Sequence, residues 1–289
     1  MLYVIVNPTA GNGKAAKTGK KIEAELIKRN IEHEIHYTEF KGNATDLARD
    51  AVKRGFKTVV SVGGDGTSYE TVCGLKDSDV ALAIIPAGTG NDFIRALGIP
   101  KNYKKALDVA LTKPARSVDC GTVNGRMFLN ACGTGFDITV LDYAQKARKY
   151  VKGPLTYLYG VVKTVFNFSP TCVKVTVNGE TVFDGDILVI AISNGPYYGG
   201  GIKIAPNAAP DDGLFDITIV RPIGSSAKMV TYLPGLAGGK VLTFKETTAL
   251  KAKKVTVESK GMRFNIDGEI IQTDVAELEL VTDRLKMHY

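Results

Sequence analysis

What this 289-residue sequence lacks narrows its function first. No apolar run approaches the ~18 residues a bilayer-spanning helix needs; residues 2–6, 80–85 and 187–192 each stop after a strand's length. The N-terminus does not resemble a secretory signal, because Asn7-Pro8 interrupts its apolar segment, so a cytoplasmic location is expected. Cys73, Cys120, Cys132 and Cys172 form no C-x-x-C pair and have no histidine cluster nearby. That supports neither a zinc site nor a disulfide framework, and predicts reduced, mostly buried thiols. His33, His36 and His288 lack partners for a triad or metal site, and no G-x-S-x-G elbow is present. The G-x-x-x-x-G-K-[ST] frame of a P-loop is missing as well.

What is abundant is glycine at strand ends. The β-branched run of residues 58–62 closes in Gly63-Gly64-Asp65-Gly66, and the pattern predicts a helix beginning at Thr67 or Ser68. Glycine lets the main chain approach a ligand and adopt φ values other residues resist, so strand, glycine turn and helix start together form an anion cradle. The same grammar occurs twice more. Residues 2–6 read as a buried strand, followed by the loop 7–13 and a helix over 14–29 with Ala16, Ile22, Leu26 and Ile27 near one face. Residues 80–85 read as a strand that ends in Pro86-Ala87-Gly88-Thr89-Gly90-Asn91-Asp92-Phe93 and enters a helix over 92–97. Asp65 and Asp92 suggest a divalent metal beside the phosphates, since Mg²⁺ is commonly held through one or two carboxylates. Helix capping is the plainer reading of Asp92.

A second strand over 33–38 and a helix over 44–54 complete two crossovers, which favour a parallel, helix-covered sheet with its ligands beyond the carboxyl ends of the strands. Around Asp119-Cys120-Gly121 that rhythm stops. From Met127 onward the chain reads mainly as short strands, among them residues 172–177 and 181–183 about the turn Asn178-Gly179, then 187–192, 214–220, 254–258 and 276–281. The fold class expected is α/β: an N-terminal doubly wound parallel-sheet domain over 1–122, and a β-rich second domain, sandwich or open barrel, over 123–289, with the C-terminal tail packing back on the first. Residues 155–166 form an apolar helical segment whose ordinary reading is core; a part facing a cleft could take acyl chains. The net charge of +7 points to anionic partners. Lys14, Lys17, Lys20 and Lys21 form one basic patch, and Lys146, Arg148, Lys149 and Lys152 another. Neither interleaves aromatics as single-strand nucleic-acid binders do, so no nucleic-acid partner is expected.

Asn7-Pro8-Thr9-Ala10-Gly11, Gly63-Gly64-Asp65-Gly66-Thr67 and the loop 86–93 resemble the three signature loops of the diacylglycerol-kinase catalytic domain, in their usual order. Ser193-Asn194-Gly195, Gly199-Gly200-Gly201 and Asp211-Asp212-Gly213-Leu214 extend the resemblance, to bacterial soluble diacylglycerol kinases and YegS-like lipid kinases, through the second half. It implies ATP and Mg²⁺ as cofactors. Nucleotide would be held by Asn7, Pro8, Thr9, Ala10, Gly11, Thr38, Gly64, Asp65, Gly66, Thr67, Ser68, Tyr69, Glu70, Thr89 and Asp92. It implies a structural Mg²⁺ site at Asp212 with the Ala209 and Leu214 carbonyls, where the residues alone suggest only a polar turn. It also gives Glu269, in Asp267-Gly268-Glu269, the role of general base toward a lipid hydroxyl. Asp65 and Asp119 would be supporting carboxylates. The acceptor expected is diacylglycerol at an anionic membrane surface, reached peripherally; oligomeric state stays open, a homodimer included. The rivals are a soluble NAD kinase-like enzyme, which shares Gly63 to Thr67, and a non-catalytic nucleotide- or lipid-binding protein on the same scaffold.

Overall fold

Strands alternate with helices through the first 96 residues and a further helix follows: β1 (Leu2–Val6), α1 (Lys14–Lys28), β2 (His33–Tyr37), α2 (Asn43–Lys53), β3 (Thr58–Gly63), α3 (Asp65–Leu75), β4 (Ala81–Pro86), α4 (Asp92–Ala96) and α5 (Tyr103–Thr112). The computed structural model describes residues 1–147 and 154–289. Arg148, Lys149 and Lys152 of the second basic patch lie outside the described residues. The chain divides into two units, the first made of Met1–Cys120, Pro210–Gly213 and Val281–Tyr289, the second of Gly121–Ala209 and Leu214–Leu280.

In the first unit the strands run parallel in the order β4-β3-β1-β2. β1 and β4 are buried at every position, as expected of parallel strands covered on both faces. Because β1 lies between β2 and β3, the chain reverses its winding direction there, and the loops after β1 and β3 open into the crevice where such sheets bind ligands. Two local expectations are corrected. Ile27 is exposed and Ala16 half-buried, whereas Ile22 and Leu26 are buried as expected, together with Ala15, Thr18 and Gly19. Helix α3 begins at Asp65, not Thr67, because Gly64 takes the extended N-cap conformation and the helix turns immediately after it.

The second unit begins within β5 (Ala115–Val123) and contains β6 (Arg126–Phe128), β7 (Ala131–Gly135), α6 (Phe136–Ala147), α7 (Pro154–Asn167), β8 (Thr171–Val177), β9 (Glu180–Ile187), β10 (Val189–Ser193), β11 (Phe215–Val220), α8 (Ser226–Ala237), β12 (Thr247–Ala252) and β13 (Lys254–Ile266). The final strand, β14 (Glu269–His288), starts here and ends in the first unit, where Lys286 and Met287 pair with Ala81 and Leu82. Antiparallel pairing runs β12-β11-β10-β7-β13-β14, with the β8–β9 hairpin attached to β13. Phe128, Phe215 and Phe264 are fully buried within this sheet's core cluster. The mixed α/β class with a β-rich second half therefore holds, but α6 and α8 interrupt the β reading. The β-branched residues of α6 and the internal Pro234 of α8 obscure their helical period.

Helix α7 takes its expected place in the core only in part. Leu155, Leu158, Tyr159, Val162 and Phe166 are 62, 56, 42, 48 and 65 % exposed. The positions turned inward are Thr156, Gly160, Thr164 and Val165. A Cβ on Gly160 would sit 2.5 Å from the Val140 carbonyl, so α7 meets α6 through a small-residue stripe, and Leu155, Leu158, Tyr159, Val162 and Phe166 remain outside. The thiols are free as expected, but only Cys120 and Cys132 are buried; Cys172 is exposed. Among the described residues no helix is long and apolar enough to cross a membrane.

Candidate active site

Three main-chain loops converge at the carboxyl ends of β1, β3 and β4. The Asn7 side-chain amide donates to Thr67 Oγ1 at 3.0 Å and its oxygen accepts from the Thr9 amide and hydroxyl, tying the first loop to the start of α3. Ala87 and Gly88 donate their amides to the Gly63 carbonyl at 2.7 and 3.0 Å, joining the second loop to the third. The Asn91 amide donates to Asp65 Oδ2 at 2.6 Å. At two glycines of these loops the packing leaves no space for a side chain. A Cβ on Gly11, which has φ of +59°, would lie 2.0 Å from the Ala87 carbonyl oxygen, and one on Gly88 would lie 2.4 Å from Gly64 Cα. Thr38 donates its amide to Val6 and so stands beside Asn7 at the end of β2.

The α3 N-terminus has no side-chain cap, and its first internal bond runs from Ser68 to Gly64, which leaves the amides of the opening turn for an anion. Thr9, Gly66 and Thr89 are exposed around this floor, whereas Thr67 and Ser68 are buried in it. Asp65 is largely buried, its Oδ1 has no hydrogen-bond partner, and burial pushes its carboxyl above the ordinary range. Asp92 opens α4 from inside, pairing with Arg95 at 3.6 Å, while Asn91 occupies the N-cap; the capping reading of Asp92 is thereby corrected. Tyr69 and Glu70 lie further along α3, where the Glu70 carbonyl accepts from Thr45 of α2.

Asp119, buried near the end of the first unit's part of β5, receives the Gly213 amide on Oδ2 at 2.8 Å and donates its own amide to Pro210 at 2.7 Å. The segment 210–213 is thus clamped to the first unit, and Tyr289 bonds Asp211 at 3.0 Å. Asp212 is exposed on it; Ala209 and Leu214 belong to the second unit. No group of three or more His, Cys, Asp or Glu able to hold a metal occurs among the described residues.

Glu269 stands at the start of β14, just past the two-residue turn Asp267-Gly268, whose φ values of +47° and +94° fit a type I′ hairpin. Two sets of residues hold that turn. The Asp267 carboxylate accepts from the amides of Leu129, Asn130 and Ala131 at 2.6, 3.1 and 3.0 Å, and the Gly268 amide donates to Asn265 Oδ1 at 2.8 Å. The Glu269 carboxylate itself is exposed and paired with Arg126.

Sequence reasoning missed the support beneath this turn. Asn265 Nδ2 also donates to Tyr198 Oη at 2.8 Å and to Asp137 Oδ2 at 3.1 Å, and Tyr198 donates to the same Asp137 oxygen at 2.6 Å. Burial raises the Asp137 carboxyl above its ordinary range and the Tyr198 hydroxyl well above its own. These three residues are far apart in sequence, so no local spacing could reveal them.

Comparison with known proteins joins both halves. Residues 1–123 match the family model of the diacylglycerol kinase catalytic domain, and residues 130–288 that of the YegS C-terminal NAD kinase beta sandwich-like domain. A diacylglycerol kinase of Bacillus subtilis (strain 168) is 33% identical over 92% of this chain and 88% of its own length. A protein of Pseudomonas fluorescens named "Probable lipid kinase YegS-like" is 33% identical over 88% of this chain and 85% of its own. A crystal structure of a diacylglycerol kinase from Bacillus anthracis str. Sterne superposes with a TM-score of 0.75 at 25% identity, covering 100% of this chain and 96% of that one. With both halves matched in order and relatives aligned over most of its length, this chain belongs to the diacylglycerol kinase and YegS-like lipid kinase family.

Proposed function

We propose that this protein transfers the γ-phosphoryl group of ATP to the free hydroxyl of diacylglycerol, giving phosphatidic acid and ADP, with Glu269 as general base. The observation that carries the reading is the floor built by Asn7–Thr67, Gly63–Gly88 and Asp65–Asn91, a main-chain surface suited to polyphosphate in a family of lipid kinases. Exposed Thr9, Gly66 and Thr89 and the open amides of α3 would bind phosphate oxygens, with Thr38 flanking them. Asp65, whose buried Oδ1 is unbonded, fits a cation brought in with the nucleotide; Mg²⁺ there would neutralise charge on the phosphates. Asp92, close enough to Asp65 to raise its carboxyl further, adds to this acidic side, and Asp119 would act as a supporting carboxylate from its place against the segment 210–213. The exposed Asp212 could supply a carboxylate to a second, structural Mg²⁺ beside the segment 210–213.

Glu269 would accept the lipid hydroxyl proton as the new P–O bond forms and the bond to the β-phosphate oxygen breaks. It must first exchange its contact with Arg126, which holds the carboxylate in position until the substrate hydroxyl arrives. Access to lipid is supported by the exposed apolar ridge of α7 and by exposed Lys14, Lys17, Lys20 and Lys21. Each lysine near an anionic bilayer contributes about 1 kcal/mol of attraction. Docking would be peripheral.

The test is a radiolabelled-ATP screen over a total bacterial lipid extract, with Glu269→Gln beside the wild type. Label entering phosphatidic acid is expected, reduced about 10²–10⁴-fold in Glu269→Gln with ATP binding intact. Label in another long-chain alcohol would replace diacylglycerol as the acceptor. Equal background transfer by both proteins would remove the enzymatic reading.

A further inference from the structure

An open-mouthed apolar pocket enclosing about 750 Å³, solvent at its mouth included, lies wholly within the second unit. Its walls include Tyr157 and Val161 of α7, Met229, Leu233 and Leu236 of α8, and Val220 of β11. Two polar side chains at its edge are already engaged, the Tyr232 hydroxyl with Glu246 at 3.0 Å and the Tyr198 hydroxyl with Asp137 Oδ2, while Asp137 Oδ1 is buried without a hydrogen-bond partner. A nucleotide or head group placed inside would lose its hydrogen bonds to water and gain few in return. A hydrocarbon segment would lose none.

Two further features bear on the occupant. Tyr198 and Asp137 line the pocket on one side, and their other contact, Asn265, bonds the Gly268 amide in the turn that carries Glu269. One three-residue cluster therefore separates the pocket from the proposed base. Helix α7, which contributes Tyr157 and Val161 to the pocket wall, also bears the exposed ridge of Leu155, Leu158, Val162 and Phe166. It is apolar on its pocket side and on its outer side.

We infer that this pocket holds one aliphatic chain of the acceptor lipid, with the hydroxyl-bearing end directed toward the Asp137–Tyr198–Asn265 cluster and the Glu269 turn. The identity of the occupant rests on the lipid-kinase reading; the existence of a chain-binding pocket does not. On this arrangement one chain leaves the bilayer for the pocket, so acceptor chain length affects KM more than kcat.

A fluorescent long-chain alcohol titrated into the full-length protein tests the pocket without any turnover. Val161→Trp and Leu236→Trp would fill it, and Val161→Phe is a milder version should either tryptophan unfold the chain, as thermal denaturation would report. Binding to the wild type that tightens from six to sixteen carbons is expected, with at least a tenfold loss in the filled variants. In phosphoryl transfer, KM for dioleoylglycerol in micelles should rise at least tenfold while that for dihexanoylglycerol and the affinity for ATP stay within twofold. No probe binding, or equal binding by the wild type and Val161→Phe, overturns the inference even if lipid is phosphorylated. If the binding pattern holds and no lipid accepts phosphate, the pocket stands and the kinase reading falls.

Discussion

The two units build their candidate sites from opposite materials. In the first, the floor at the ends of β1, β3 and β4 is main chain: glycines so close that a Cβ at Gly11 or Gly88 would strike backbone, and amides bonded to carbonyls of the next loop. In the second, the turn bearing Glu269 is held by side chains, Asp267 on three amides and Asn265 on one, with Asp137 and Tyr198 beneath. A main-chain site is fixed by the absence of side chains, so adding one atom should break it. A side-chain site is fixed by charge and hydrogen bonding, so an isosteric change should suffice.

Gly88→Ala gives the largest effect expected from this contrast. A methyl group 2.4 Å from Gly64 Cα forces two loops apart, and a loss of about 3 kcal/mol or more is expected with at least tenfold weaker ATP binding, read by denaturant unfolding and calorimetry. Gly66→Ala, whose added methyl would meet nothing within 4 Å, should leave stability unchanged or raise it by up to about 1 kcal/mol. Similar losses in both would show that the floor is not held by close approach.

Asp267→Asn is the counterpart in the second unit, a change of charge at constant shape. Weaker acceptance from Leu129, Asn130 and Ala131 should cost about 2 kcal/mol and lower kcat through a misplaced Glu269, leaving KM for ATP alone. A fall in ATP affinity as large as the fall in kcat would contradict the separation of roles.

Asp65 sharpens the comparison through pH. Burial raises its folded pKa, so the native state binds more protons than the unfolded chain between the unfolded value, about 4, and the raised folded value. The associated stability is complete below that window and is lost as pH rises through the folded pKa. Asp65→Asn should therefore make the ligand-free protein more stable than wild type at pH 7, the gap closing below about pH 4, while ATP binding weakens. Thermal denaturation from about pH 4 to 8 checks the sign; a less stable variant at neutral pH would mean that the Asn91 amide bond outweighs burial.

The smallest effect is expected on α7. Leu158→Ser and Phe166→Ser should change stability by no more than about 0.5 kcal/mol, because both side chains are exposed, yet reduce co-sedimentation with anionic vesicles. Unchanged vesicle binding would leave the ridge without a docking role.

The same contrast explains what the sequence made visible. Glycine runs after β-branched segments mark strand ends and tight loops, so the three loops were legible from residues 2–13, 58–66 and 80–93, and the parallel sheet from the crossovers completed by the strand over 33–38 and the helix over 44–54. Register could not be read around Asn265, because its partners Asp137, Tyr198 and Gly268 meet through sheet pairing and not through spacing. Helix α7 misled because an apolar period says which residues share a face, and only the close approach at Gly160 decides that the opposite face turns inward.

The contact of Gly11 with the Ala87 carbonyl and of Gly88 with Gly64 leaves no slack between neighbouring loops. They form one preassembled plate, so a ligand binding there would have little of the protein to order on contact. Its association rate is then governed by diffusive encounter and its residence by the bonds it makes, so substitutions around the plate should register as faster departure and not as slower arrival.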